Sequence, residues 1–356
     1  MTEKTEIKSL YFNELESFVT NELSQPRFRA SQLFSWMHEK KAAGFEEMTN
    51  LPAALRERLG ELCDYTSLSI HTVQTSAKDG TKKYAFVLAD GNIIESVYMR
   101  YAHGNSVCIS SQVGCRMGCR FCASTIDGLV RNLTASEMLE QVYEIERDTG
   151  TRVSNVVIMG SGEPLDNYEN TVRFIRLISD QRGCGMSQRN ITLSTCGIVP
   201  RIRDLAMEDL AITLAISLHA PTDELRRKTM PIANSYSISE ILEACGFYFE
   251  KTGRRISFEY SVIRDLNDGR ETIEQLAALL KGRNCHVNLI SVNPIKERDY
   301  RAVDSLSLDQ IKNILEKSSI NVTIRRRLGG DIDSACGQLR RKVVSEGTQF
   351  EGIRGH

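Results

Sequence analysis

The chain has 356 residues, 41% hydrophobic and 26% charged, ordinary values for a globular protein with room for a large core and about two domains. Lys+Arg 45 against Asp+Glu 46 leaves a net charge of −1, so contact with a polyanion would have to come from local patches. The strongest apolar run, Leu210–Leu218, is short and broken by Thr213 and Ser217, and Met1-Thr-Glu-Lys-Thr-Glu lacks the apolar stretch of a secretory signal. Membrane, secreted, collagen-like and disordered classes are excluded, and a cytoplasmic location is expected.

In chain order, residues 1 to about 75 read as a small helical unit. Phe28, Leu33, Phe34 and Met37 fall on one helical face, and Pro52 suits the first turn of a restarting helix. Arg27, Arg29, Lys40 and Lys41 give this region local positive charge. Lys82–Leu88 and Asn92–Met99 then predict a hairpin turning at Asp90-Gly91. Beyond Ser106, short apolar runs alternate with helical stretches. The predicted strands are Val107–Ser110, Val153–Met159, Asn190–Ser194, Leu210–Ser217, Arg255–Val262 and His286–Val292. Helix patterns at Ala135–Arg147, Tyr168–Ser179, Ile238–Lys251 and Arg270–Lys281 separate them. Repeated strand–helix units mean parallel strands with right-handed crossovers, an α/β class. Six units fit an open or partial barrel better than a closed eightfold one, with a doubly wound sheet as the alternative. In either case the site belongs at the C-terminal strand ends. The expected organisation is a helical unit at 1–75, a hairpin linker at 76–104, a core at 105–325 and a C-terminal loop and tail at 326–356.

Ten cysteines are present, and three of them crowd into Gly114-Cys115-Arg-Met-Gly-Cys119-Arg-Phe-Cys122, a Cys-x3-Cys-x2-Cys loop following the first core strand. A structural zinc takes four protein ligands, so three thiolates leave it incomplete unless Cys108 joins them. Three thiolates can instead hold three irons of a [4Fe–4S] cluster and leave the fourth iron open. Cys63, Cys184, Cys196, Cys245 and Cys285 read as packing residues.

This loop resembles that of the radical SAM superfamily, in which the open iron binds S-adenosylmethionine (SAM). Further segments narrow the resemblance to its RlmN/Cfr family: Cys108-Ile-Ser-Ser-Gln-Val-Gly-Cys115, Arg131-Asn-Leu-Thr134, Gly160-Ser-Gly-Glu-Pro-Leu165, Ser194-Thr-Cys-Gly-Ile-Val-Pro200, Ser217-Leu-His-Ala220, Met230-Pro-Ile232, His286-Val-Asn-Leu-Ile290 and Asp331-Ile-Asp-Ser-Ala-Cys-Gly-Gln-Leu339. The likeness runs over essentially the whole chain; Ser161 stands where members usually carry Met.

The resemblance implies a partial (β/α)6 radical SAM barrel, one [4Fe–4S] cluster on Cys115, Cys119 and Cys122, and two SAM molecules per turnover. It implies SAM contacts at Gly162, Glu163, Ser194, Ser217, Leu218, His219 and Asn293. Cys336 would be methylated to S-methylcysteine, become a carbon radical, and add to an RNA adenosine. Cys108 would resolve that adduct through a transient Cys108–Cys336 disulfide. Glu95, a carboxylate interrupting the apolar face of Ile93, Val97 and Met99, would be the proton acceptor, a role for which Cys108 competes. The implied reaction is methylation of adenine C2 in 23S rRNA and in tRNA beside the anticodon, with flavodoxin the usual electron donor. Arg325, Arg326, Arg327, Arg340, Arg341 and Lys342, against Asp331 and Asp333, offer a basic patch for RNA, and an unstacked or flipped adenosine is expected. Three alternatives stay open: a Cfr-type enzyme methylating C8, a non-catalytic RNA-binding protein stapled by zinc, and an activator of a glycyl-radical partner.

Overall fold

Ten strands lie side by side in one sheet, in the order in which the chain makes them. They are β1 (Ser69–Thr75), β2 (Lys82–Val87), β3 (Ile93–Tyr101), β4 (Gly104–Ile109), β5 (Asn155–Ile158), β6 (Ile191–Thr195), β7 (Thr213–Ser217), β8 (Ile256–Val262), β9 (Cys285–Ser291) and β10 (Asn321–Ile324). The structure, a computed structural model, describes residues 4–102, 104–293, 299–326, 328–332 and 338–345. β1 to β4 form an antiparallel meander. From β4 to β10 every pairing is parallel, and β1 and β10 stand at opposite edges, so the sheet is an open, partial barrel.

Helices make the parallel crossovers. α4 (Ala135–Thr149) joins β4 to β5, α5 (Tyr168–Ser179) joins β5 to β6, and α6 (Val199–Leu205) joins β6 to β7. α7 (Asp223–Thr229) and α8 (Ile238–Thr252) lead to β8, α9 (Arg270–Leu280) to β9, and α10 (Ser305–Lys317) to β10. The sequence punctuates them clearly. Thr134 with Glu137 and Ser237 with Glu240 form capping boxes on α4 and α8, and Gly150 and Gly253 end these helices in the left-handed conformation. The six expected strand–helix steps are present. β10 was not expected: four residues of a half-exposed edge strand leave no apolar run to read.

The N-terminal unit holds α1 (Phe12–Asn21), α2 (Phe28–Phe34), which continues as a wider turn over Ser35–Glu39, and α3 (Ala53–Leu62). Pro52 caps α3 rather than sitting inside its first turn. The helical reading of the first 75 residues stops short, because Ser69–Thr75 is strand β1. It is a half-buried edge strand in which both faces are similarly covered, and this hides the two-residue alternation. The unit is bolted to α4 by Lys8, which is fully buried, pairs with Glu140 at 2.5 Å and lies 3.7 Å from the Tyr65 ring centroid; Arg147 holds the other Glu140 oxygen at 2.6 Å. Such a pair is tolerable in the core only because every charge is answered.

The hairpin turns at Asp90-Gly91 as expected, with Gly91 at φ 81° and the Asn92 amide donating to Asp90 at 3.0 Å. It does not hang as an arm. β3 pairs with β4 and puts Val97 beside Cys108, making the hairpin the continuation of the core sheet. α11 (Gln338–Ser345) lies across it, with Leu339 and Val343 packed on Ala85 and Ile93.

Candidate active site

The C-terminal ends of the parallel strands surround a cavity of about 360 Å³. Cys108, the three loop cysteines, Gly162, Glu163, Ser194, Ser217, His219 and Asn293 all line it. Parallel strands present their C-terminal ends to one side, so residues far apart in sequence converge there.

The cysteine loop begins at Gly114, which has a φ of 75° and is approached so closely by Gly128 O that no Cβ could be accommodated. The Cys115 amide donates to Gly128 O at 2.8 Å, and Thr125 Oγ1 donates to the carbonyls of Cys119 and Cys122 at 3.0 Å each. Arg116, on the rim, is paired with Asp166. The loop floor packs Cys119 against Cys196 and Met230. Burial pushes the Cys115 thiol up to about 12 and raises Cys119 as well. Among the described residues no three His, Cys, Asp or Glu side chains converge as they would on a single ion. A four-iron cluster does not require convergence, since each thiolate takes a different iron. Three cysteines on one glycine-bearing loop, all facing a cavity with room for a small molecule beside them, fit such a cluster.

Glu163 stands opposite. Its carboxylate takes the Leu165 amide on Oε1 at 3.0 Å and the Cys196 amide on Oε2 at 2.7 Å, while burial raises its pKa. Gly162, at φ 108°, brings the chain against Gln112, where a Cβ would meet the Gln112 backbone nitrogen at 2.7 Å. His219 is held at φ 58°. Its Nδ1 accepts from the Ser261 amide at 2.9 Å, which puts the ring proton on Nε2. Burial lowers its pKa to about 3, so it is a neutral polar group, its ring edge-on to Phe121 at 4.9 Å.

Not every expected residue is on this wall. Leu218 is fully buried beside it and contributes its backbone, its amide donating to Glu259 O at 3.1 Å. Glu95 shares the β3 face with Val97 and Met99, which do line the cavity, but its carboxylate is engaged elsewhere. It pairs with buried Lys83 at 3.1 Å and accepts the Arg340 amide in the first turn of α11. The basic patch also divides. Arg325 and Arg326 are exposed at the cavity mouth, whereas Arg340 is buried and donates to Ile93 O at 3.0 Å, and Arg341 faces Asp127. Asp331 is tied to Ser76 and Ala77. Cys336, Arg327 and Asp333 lie outside the described residues.

Two wall residues were not foreseen. Cys196, expected to be packing alone, lines the cavity and feeds Glu163. Glu259 faces the cavity from β8, with Oε1 taking Asn288 Nδ2 at 2.8 Å and Oε2 buried without a partner among the described residues. Ser257-x-Glu259-x-Ser261, polar at alternate positions of a wholly buried strand, was the available signal.

Residues 109–280 match the radical SAM superfamily and residues 5–64 match the ribosomal RNA large subunit methyltransferase N-terminal domain. The chain is 59% identical over 348 residues to a probable dual-specificity RNA methyltransferase RlmN of Lachnospira eligens, covering 98% of this chain and 99% of that one. It belongs to the RlmN family. A relative of the same description from Clostridioides difficile is 52% identical over 339 residues, covering 95% and 98% of the two chains. The crystal structure of a radical SAM methyltransferase from Sphaerobacter thermophilus superimposes with a TM-score of 0.90 at 40% identity, covering 94% of this chain and 98% of that one. Membership in this radical SAM methyltransferase family implies a [4Fe–4S] cluster and SAM. Among the described residues no helix is long and apolar enough to cross a membrane.

Proposed function

We propose that the protein methylates C2 of an adenosine in 23S rRNA, in the peptidyl-transferase region, and in tRNA, 3′ of the anticodon. The observation that carries this reading is the meeting of Cys108, the cysteine loop, Glu163 and the strand-end polar groups Ser194, Ser217, His219 and Asn293 around one cavity. An sp² carbon such as adenine C2 is a poor nucleophile toward a methyl sulfonium, so ordinary methyl transfer fails and radical chemistry is needed. Bound together, the cluster and SAM supply a 5′-deoxyadenosyl radical by reductive cleavage.

The protein's own residues do the rest. Cys115, Cys119 and Cys122 would hold the cluster. Glu163, its oxygens already aligned by two backbone amides, would receive the methionyl ammonium. The small polar groups at the ends of β6, β7 and β9, with neutral His219, would take the ribose and carboxylate. Cys336 would accept a methyl group from one SAM and, after losing a hydrogen from it, bond to C2 of the base. The adduct would give up one electron, to the oxidised cluster, and its C2 proton, to Cys108 or Glu95. The Cys108 thiolate, on the wall and in register with Val97, would then attack Cys336 sulfur; the sulfur–carbon bond breaks with its electron pair left on the methylene carbon, protonation there completes the methyl group, and methylated RNA leaves behind a Cys108–Cys336 disulfide. Glu95 serves as proton acceptor only if α11 shifts, since Lys83 and the Arg340 amide hold its carboxylate; Cys108 already faces the cavity. Arg325 and Arg326 would meet RNA phosphates at the mouth.

The test is product identity. Anaerobically reconstituted protein is given SAM, a low-potential one-electron donor such as flavodoxin, and 23S rRNA or tRNA transcripts. Nuclease digestion and mass spectrometry against standards should return 2-methyladenosine. Finding 8-methyladenosine would move the protein to the Cfr-type activity. Finding no methylated base with an intact cluster would overturn the proposal.

A further inference from the structure

Arg226, on α7, is the largest side chain among those fully buried, and it has no carboxylate within ion-pair distance among the described residues. Its side-chain partners among the described residues are all carbonyls. Nε donates to Leu218 O at 3.2 Å, and Nη2 donates to Cys196 O at 2.6 Å and Ser217 O at 3.4 Å. Nη1 is buried with no partner among the described residues. A guanidinium is always charged, and its desolvation is not repaid by neutral dipoles alone. A buried cation of this kind implies a nearby anion.

The surroundings indicate which one. Arg226 O accepts the Met230 amide at 2.8 Å, and Met230 packs on Cys119 and Cys196. The carbonyl just before it, Thr229 O, accepts the Arg120 amide at 2.8 Å, inside the cysteine loop. Cys196, whose carbonyl takes Nη2, packs directly against Cys119 of the loop. Asp223, at the start of the same helix, is engaged by the Ile238 amide at 2.7 Å.

We infer that Arg226 is the protein's counter-charge to the thiolate-held cluster, a positioning residue that also eases its one-electron reduction. A [4Fe–4S] unit on three thiolates is a net anion, and more so after taking an electron from an external low-potential donor. A fixed cation beside it stabilises the reduced form more and shifts the potential upward. Through Cys196 O, Ser217 O and Leu218 O the same side chain braces the turn that feeds Glu163 and the end of β7. This inference rests on the cluster reading above.

The experiment compares wild type, Arg226→Lys and Arg226→Met after anaerobic reconstitution, measuring iron per chain and the cluster's midpoint potential by mediated titration followed by electron paramagnetic resonance. A more negative midpoint in Arg226→Met, largely restored in Arg226→Lys, is expected. An unchanged midpoint in Arg226→Met with full iron content would overturn the inference. If Arg226→Met does not fold, Arg226→Gln carries the same comparison. If both neutral variants fail to fold as cluster-free chains while Arg226→Lys folds, the charge is needed without the cluster, and the inference is likewise overturned. Absence of a four-iron signal from wild type would instead sink the cluster reading itself.

Discussion

Glu163 illustrates how a single residue is committed to one task. Both oxygens accept backbone amides and still border the cavity, so the carboxylate is fixed in place before any ligand arrives. Glu163→Gln sets an NH2 group against one of those amides and removes the charge. A charge-assisted hydrogen bond is worth about 1.5–3 kcal/mol, so SAM affinity should fall about ten- to hundredfold by equilibrium dialysis. Unchanged affinity would remove Glu163 from the site. A second residue effect is acid sensitivity. His38 is fully buried, its Nδ1 3.1 Å from Tyr143 Oη, and burial lowers its pKa to about 3. Its unfolded value is near 6.5, so between these limits the unfolded chain binds the extra proton and stability falls as pH drops. Urea unfolding from pH 6.5 to 4 should show a shallower loss for His38→Gln than for wild type; parallel curves would contradict this. The residues that sequence reading reached were those with a distinctive spacing or a motif, such as Cys115 and Glu163. Arg226 and Glu259 escaped because a lone charged residue in a buried strand or short helix looks like any surface charge until its burial is known.

At the level of elements, α11 matters most, since it follows the segment containing Cys336. Its docking combines Leu339 and Val343 against Ala85 and Ile93 with Glu95 capping the Arg340 amide, and Lys83 neutralises that carboxylate from β2. Removing Lys83 leaves a buried charge short of its partner. Lys83→Met should therefore cost about 3 kcal/mol in urea unfolding, and adding Glu95→Leu should recover much of it. Arg58, whose pair with Glu61 is exposed, should cost under about 0.5 kcal/mol when changed to Ala. Equal losses at the two sites would mean that the Glu95–Lys83 pair does not anchor the helix. The sequence showed Glu95 as an odd carboxylate on an apolar face but not its partner, because Lys83 is a neighbour across the hairpin rather than along the chain. Long regular elements were legible from periodicity and caps; β1 and β10, edge strands whose faces mix polar and apolar residues, were not.

For the whole molecule, charge is the informative quantity. A net of −1 leaves RNA binding to local cations. Arg27 is paired with Glu16, Lys41 with Glu146, and Arg340 is buried, whereas Arg325 and Arg326 stand exposed at the cavity mouth. Binding to a single-stranded RNA should weaken with salt, and the double change Arg325→Ala, Arg326→Ala should flatten the slope of log K against log salt by about 1.4, at about 0.7 per phosphate. An unchanged slope would place the RNA elsewhere. The partial barrel was readable because its strands and helices alternate along the chain, whereas the way the hairpin extends the sheet depends on pairing that no local pattern records.

In the proposed reaction the sulfur of Cys336 carries the carbon to be delivered. Peptide mass spectrometry of protein incubated anaerobically with its cluster, reductant and methyl-deuterated SAM, without RNA, tests it most directly. One deuterated methyl group is expected on Cys336, absent from Cys108 and from the Cys336→Ala protein. Finding Cys336 unmodified while RNA added afterwards still becomes methylated would contradict it.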